Sequence, residues 1–546
     1  MRTRRSISAS SHCVLSCVLA VGVLGGFGTP VAAAVEIPAT GTPATGPAIP
    51  DRGYEAVDAY LREQMAAIGL PGAAVVVVKD GVQVHSAAFG HADDSGRPMT
   101  AQTPVLLAST TKPLTAMAVM QQVEAGRLRL DEPVRTYLPW FTLQDSRSSA
   151  ITVRQLLHQT SGMASKDTAF EASDAQDPEA IEEGVRALSG SPLAGSPGEG
   201  FRYASANFNI LGLLVQTVSG QPFGDYMEQH VFAPLAMAHS HTTRAAAQAD
   251  NAAAGYSLWF GSFWRQTGVP APTTGMPSST MYSSAEDIGH ELTALLDEGR
   301  YRGRAFLRPE SVETLLKPEV QIDESKGYAM GWFTRPLVES VGPASGAASP
   351  PTADPPTADQ ALPLLLEHQG EWGNSHTYKA MVPASRLGVA LVINANDTSA
   401  PSRLKAIDTN VLRILHAQPP VPAVVQEDWL QRSSWLVSLV LLLAELLSLA
   451  LALAFLLRRS AARRRWVPWA GGAAALALDG FALWLCLVYA PARFDTHLAV
   501  IVRQFPDVGV ALVPALGLAL LWPVPRTVWL VSRMRSATPG SHRSAA

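Results

Sequence analysis

Cysteine is nearly missing from this chain. There are three in 546 residues, Cys13 and Cys17 in an apolar leader and Cys486 in an apolar run near the C-terminus. The polar body between them has none, which excludes disulfides, thiolate catalysis and cysteine-ligated metals there. Basic residues are also scarce in that body: residues 6–457 carry 28 Lys and Arg against 43 Asp and Glu. So acidic a surface argues against nucleic acid as a partner. From Arg458 onward the balance reverses, with eleven arginines against three acids.

The leader itself reads as a secretory signal over residues 1–34. Arg2, Arg4 and Arg5 form its basic region, VLSCVLAVGVLGGFG its apolar region, and Ala32-Ala33-Ala34 a small-residue cleavage site. Residues 35–50 are a Pro/Ala/Gly/Thr linker. Residues 51–417 then read as one domain. Tyr54 to Leu70 has helical periodicity, and GAAVVVVKDGVQVHSAAFG holds two β-rich runs joined through Lys79-Asp80-Gly81, a hairpin signal. From Thr115 to about Gly299 the text is mostly helical and loop-like. Strand character returns in GYAMGWFTR, LLLEHQGEW, SHTYKAMVP and RLGVALVINAND, and a helix from Pro401 to His416 closes the domain. Strands at both ends with helices between predict an α+β fold: one antiparallel sheet with flanking helices and an inserted helical lobe. A cleft between the lobes is the expected site. The insert ESVGPASGAASPPTADPPTADQALP reads as a surface loop with no chemistry of its own.

A linker over 418–434 leads to apolar runs at 435–457, 467–490 and 508–522, the third marginal in length, and a tail over 523–546. RRSAARRR, between the first two runs, and the arginine-bearing tail carry the positive charge. The positive-inside rule therefore predicts a multi-pass C-terminus in the cell membrane, with the domain on the extracytoplasmic side. Glu445 and Asp479 fall near the middles of the first two runs and are expected to face the bundle, sharing a proton.

Chemistry is concentrated at Ser109-Thr110-Thr111-Lys112, which opens an amphipathic helical run closed by Gly126. In a helix beginning near Ser109, Lys112 shares its face. A serine hydroxyl needs a base to take its proton as it attacks, and a lysine whose surroundings lower its pKa can serve. The helix N-terminus adds N–H groups where an oxyanion would develop. Pro113 is tolerated in a first turn. The bare spacing is unspecific: Ser402-Arg403-Leu404-Lys405 also fits it, with nothing around it to suggest a site.

Several blocks in order supply the context. ASTTKPLTAMAVMQQVEAGRLRLDEPVRTYLP, ITVRQLLHQTSGM, FRYASANFNILGLLVQTVSG, VFAPLAMAHSHTT, SSTMYSSAEDIGHEL, GYAMGWF and EHQGEWGNSHTYKAMVP occur in that sequence. Together they resemble the serine β-lactamase/penicillin-binding-protein superfamily, in the branch with class C β-lactamases, D-alanyl-D-alanine carboxypeptidases and esterases. The resemblance spans roughly Tyr54 to His416. It implies Ser109 as nucleophile, Lys112 as general base and Tyr203 as the second proton-transfer group. The branch's Tyr-x-Asn reads Tyr203-Ala204-Ser205 here, so Ser205 replaces an asparagine that would bond a substrate amide. Its third motif appears as His368-Gln369-Gly370. The resemblance implies that Gly370 lets substrate backbone approach, and that the N–H groups of Ser109 and Glu371 form the oxyanion hole. His368 would orient the tyrosine hydroxyl or a substrate carboxylate, with less fixed positive charge than a lysine. His376 has no second ligand at metal spacing, so no metal and no cofactor are expected.

The expected function is hydrolysis of an extracytoplasmic peptide, ester or β-lactam through an acyl-enzyme, with cell-wall D-Ala peptides first and β-lactamase or carboxylesterase activity as alternatives. A non-catalytic β-lactam or cell-wall sensor is the alternative of another class. Protein partners and oligomeric state are not legible.

Overall fold

A computed structural model describes residues 52–164, 175–177, 179–337, 363–457, 467–494, 496–524 and 527–528. The expected signal, the linker after it, nearly all of the Pro-rich insert, the arginine-rich loop and most of the tail lie outside the described residues.

Strands β1 (Gly72–Lys79) and β2 (Val82–Gly90) form the expected hairpin. Asp80 and Gly81 both take positive φ, 53° and 80°, which a two-residue turn needs to match the strands' twist. The late strands are β3 (Val320–Gln321), β4 (Gly327–Tyr328), β5 (Phe333–Pro336), β6 (Leu364–Trp372), β7 (Ser375–Val382) and β8 (Leu387–Ile393). All eight make one antiparallel sheet in the order β2-β1-β8-β7-β6-β5-β4-β3. The two ends of the domain meet where β1 pairs with β8, from Ala73 opposite Ile393 to Lys79 opposite Leu387.

Both faces of this sheet are covered. Val75 and Val77 pack with Val389, Leu391 and the terminal helices α1 (Arg52–Ile68) and α5 (Ser402–Leu415). Val76 and Val78 point the other way, with Ala390 and Val392, toward α4 (Ala285–Leu296). The period of two is why the valine run is unbroken. A one-residue slip would exchange the two faces.

The inserted lobe contains α2 (Thr111–Glu124) and α3 (Ser205–Ser219), which pack on each other. Two features depart from expectation. Residues Thr111 to Met120 of α2 are all buried, so the helix is enclosed by sheet and lobe rather than amphipathic. The stretch expected to be helical and loop-like also holds a small hairpin, Tyr256–Trp259 with Phe263–Gln266, whose first strand runs parallel to Ala395–Asn396. Four-residue strands are too short to display a period; tertiary bonds such as Trp264 Nε1 to the Ile68 carbonyl (2.8 Å) hold them.

After α5 come three apolar helical stretches: α6 (Ser434–Leu457), α7 (Val467–Trp484, running on through a π turn to Arg493) and, after the short α8 (Leu498–Gln504), α9 (Pro506–Leu521). Among the described residues one stretch, Leu476–Arg493, is long and apolar enough to cross a membrane. The apolar parts of the other two, Ser434–Leu447 and Pro506–Leu521, are shorter. Glu445 and Asp479 are both buried.

Candidate active site

Ser109 sits in a short 3-10 turn, Ala108–Thr110, that feeds directly into α2. The turn is held tightly. The Leu107 carbonyl accepts from the Thr110 hydroxyl (2.8 Å) and the Thr377 hydroxyl (2.6 Å), while the Ser375 hydroxyl donates to the Leu106 carbonyl (2.9 Å). Ala108, just before the serine, has φ 50°. That left-handed conformation is costly for a residue with a Cβ and persists only where its surroundings impose it.

Lys112, one helical turn on, has no solvent exposure. Its Nζ lies 3.1 Å from Ser109 Oγ, 3.5 Å from Ser205 Oγ and 3.0 Å from the Ser278 carbonyl oxygen. A neutral amine has two N–H groups and one lone pair. In that form the lone pair can take the proton of the serine hydroxyl.

Tyr203 and Ser205 flank the start of α3, and Lys112 Nζ stands 4.8 Å from the centre of the Tyr203 ring. The loop before α3 is fixed by Gln159, itself at φ 59°. Its side-chain oxygen accepts from Ala204 N (2.9 Å) and Asn207 Nδ2 (2.5 Å), and its carbonyl from Arg202 N (2.7 Å).

The third expected motif lies on β6. His368 is almost wholly buried, its ring centre 5.2 Å from that of Phe333 and 6.2 Å from that of Tyr203. Burial, the largest cause, lowers its pKa to about 3. The imidazole is therefore neutral at physiological pH. Nδ1 faces the Gln369 carbonyl at 2.7 Å, which assigns the proton to Nδ1 and makes Nε2 an acceptor.

Gly370 lies against the turn that carries Ser109. The group that approaches it is the chain's own Leu107 carbonyl: a Cβ at Gly370 would lie 2.1 Å from that oxygen and 2.3 Å from Thr377 Oγ1. The glycine lets the Ser109 turn dock on the strand. Glu371 borders the same cavity as Ser109, and its carboxylate meets Lys405 Nζ at 3.2 Å. The second Ser-x-x-Lys thus supplies a partner to the site's edge instead of a nucleophile. His376 is buried against Asp408, 3.0 Å from both carboxylate oxygens.

A cavity of about 750 Å³ opens on Ser109, Tyr203, Ser205, Ser279 and Glu371, and continues to residues of the C-terminal segment. The Ser278 carbonyl and the Gln159 clamp were not legible as site features. A main-chain oxygen has no side-chain signature, and Gln159 acts through a turn that only the folded chain displays.

A family profile described as beta-lactamase matches residues 57–410. Protein flp of Staphylococcus aureus strain MW2 is 25% identical over 365 residues, covering 65% of this chain and 66% of the relative, so the chain spans just under two thirds of that relative's length. Esterase EstB of Burkholderia gladioli is 34% identical over 195 residues, 33% of this chain and 49% of its own. Among solved structures, an octameric penicillin-binding protein homologue from Pyrococcus abyssi superposes with TM-score 0.56 at 23% identity, over 67% of this chain and 78% of that one. D-alanine carboxypeptidase AmpC from Burkholderia cenocepacia gives 0.53 at 23%, over 67% and 99%.

Proposed function

Because the chain belongs to the β-lactamase family of serine hydrolases, we propose that it is an exported, membrane-anchored hydrolase that works through an acyl-enzyme on Ser109. One observation carries the reading: a buried lysine amine 3.1 Å from a half-buried serine hydroxyl at the mouth of a cavity. Ser109 Oγ attacks the substrate carbonyl carbon as its proton passes to neutral Lys112. The oxyanion is received by the N–H groups of Ser109 and Glu371. As the intermediate collapses, the scissile bond breaks and the proton moves through the Tyr203 phenol to the leaving group. Water then attacks the acyl carbonyl, releases the acid and restores Ser109.

The substrate class is a peptide or an ester outside the membrane, D-Ala-terminated peptides included. One observation favours the ester reading. A neutral His368 with an acceptor Nε2 suits a hydroxyl donor and gives a substrate carboxylate no positive charge. The EstB similarity supports the same reading. Turnover of a p-nitrophenyl ester and of a D-Ala-D-Ala peptide by the full-length protein tests both. Ser109→Ala should abolish activity, and Tyr203→Phe should lower kcat by roughly 100-fold or more. Activity unaffected by either change would refute the mechanism.

A further inference from the structure

The family match ends at residue 410, yet the cavity does not. Gly373 follows β6, and a Cβ there would meet the Gln504 carbonyl oxygen at 2.3 Å. Gln504 is the last residue of α8, in the loop that joins the second apolar helix to the third. Backbone from that loop therefore rests against the end of the strand that carries His368, Gly370 and Glu371.

The contact is braced on every side. Asp507 Oδ2 accepts from Phe260 N at 3.2 Å. Arg493 pairs with Asp428 at 2.5 Å, and Asp428 N in turn donates to the Ser399 carbonyl (2.7 Å). Ile501 of α8 is buried with Cys486, Ala490, Val508 and Leu512 of the neighbouring helices. The segment expected to be a free linker is also strapped down: Val421 N donates to Asn410 Oδ1 (2.9 Å), and Gln426 N to Ser402 Oγ (3.0 Å).

The cavity thus has two unlike walls. Ser109, Tyr203 and Glu371 stand on one; Phe494, Thr496, Val500, Gln504 and Phe505 stand on the other. The second wall is polar at Thr496 and Gln504 and apolar at its two phenylalanines and its valine. Beyond Phe494, Gln431 and the Arg493–Asp428 pair, which line both spaces, a narrow crevice lies among Val437, Leu485, Tyr489 and Leu512 of the apolar helices. From Ser109 the cavity passes polar groups and ends beside this apolar crevice.

We propose that Phe494 and residues 496–505 form a specificity wall, and that the substrate is an amphiphilic acyl donor whose apolar chain lies along Phe494, Val500 and Phe505 while its carbonyl meets Ser109. The inference rests on the acyl-enzyme reading above and names the substrate class for it. It also gives the second and third apolar helices a task that tethering does not require: they pack on α8, whose last residue, Gln504, rests against Gly373.

Two fluorophosphonates with the same reactive head, one bearing an ethyl and the other a dodecyl chain, test the proposal on the full-length protein in detergent micelles. Each forms an Oγ–P bond on Ser109, expels fluoride and passes the serine proton to Lys112. In Phe505→Ala the labelling rate constant for the dodecyl probe should fall by roughly tenfold while the ethyl probe stays within about twofold. Thr496→Trp, which adds bulk without removing a packed ring, should give the same selective loss if Phe505→Ala does not fold. Equal losses for both probes, or none for either, overturn the specificity wall alone. Failure of the ethyl probe to label Ser109 in the unaltered protein overturns the acyl-enzyme reading, and the wall with it.

Discussion

Gly370 and His368 neighbour the nucleophile on one strand and act in different ways. A methyl at Gly370 would drive against the Leu107 carbonyl as well as the Thr377 hydroxyl, and the backbone cannot turn away as a side chain can. Gly370→Ala should therefore displace the Ser109 turn and lower kcat/KM by about 100-fold or more, because a shift near 1 Å at the reacting atoms costs that much. Gly190→Ala, where nothing lies within 4 Å of the added Cβ, should leave activity unchanged. Equal behaviour of the two variants in an ester assay would contradict this account. His368 enters the pH dependence of stability. Its folded pKa of about 3 lies below the ordinary 6.5, so between those values the unfolded chain binds a proton that the native chain does not. Stability is thus lost as pH falls through that window, by an amount on the order of a few kcal/mol. His368→Gln should flatten the fall of Tm between about pH 6.5 and about pH 4; parallel curves would argue against a buried neutral imidazole. At this scale the Ser109–Lys112 spacing was legible, since a helix brings those positions together. The left-handed Ala108 and the Ser278 carbonyl were not, because both are properties of backbone.

Between elements, a buried polar tie under the sheet joins α4 to β7. Lys379 Nζ lies 2.5 and 2.7 Å from the two oxygens of Glu291, and neither side chain has any exposure. Burial pushes the lysine down and the carboxylate up, each toward its neutral form. Such a pair resists being broken far more than it stabilises the fold. Glu291→Ala should cost roughly 3–5 kcal/mol by leaving a charge stranded, whereas Glu291→Leu with Lys379→Met should come close to the unaltered protein. Denaturant unfolding checks both, and a double variant as unstable as the single would contradict the argument. The strands were legible because their patterns are long: nine residues in β6, eight in β7 and an Asp-Gly turn between β1 and β2. The hairpin at Tyr256–Gln266 escaped because its four-residue strands are specified by contacts with Ile68 and Asn394, distant in sequence.

For the molecule as a whole, residues 57–410 make the family domain, and the segment beyond it returns to complete the cavity. The α+β architecture and the family could be read from the order of motifs. The second wall could not, since residues 493–505 look like a connection between apolar runs until Gly373 and Gln504 are seen in contact. The central claim remains the chemistry at Ser109. Intact mass of the full-length protein, treated with a fluorophosphonate and then with a penicillin beside Ser109→Ala, tests it most directly. The account predicts one phosphonyl adduct on Ser109 that vanishes in the alanine variant and blocks any penicillin adduct. An adduct that persists in Ser109→Ala, or none on the unaltered chain, would contradict it.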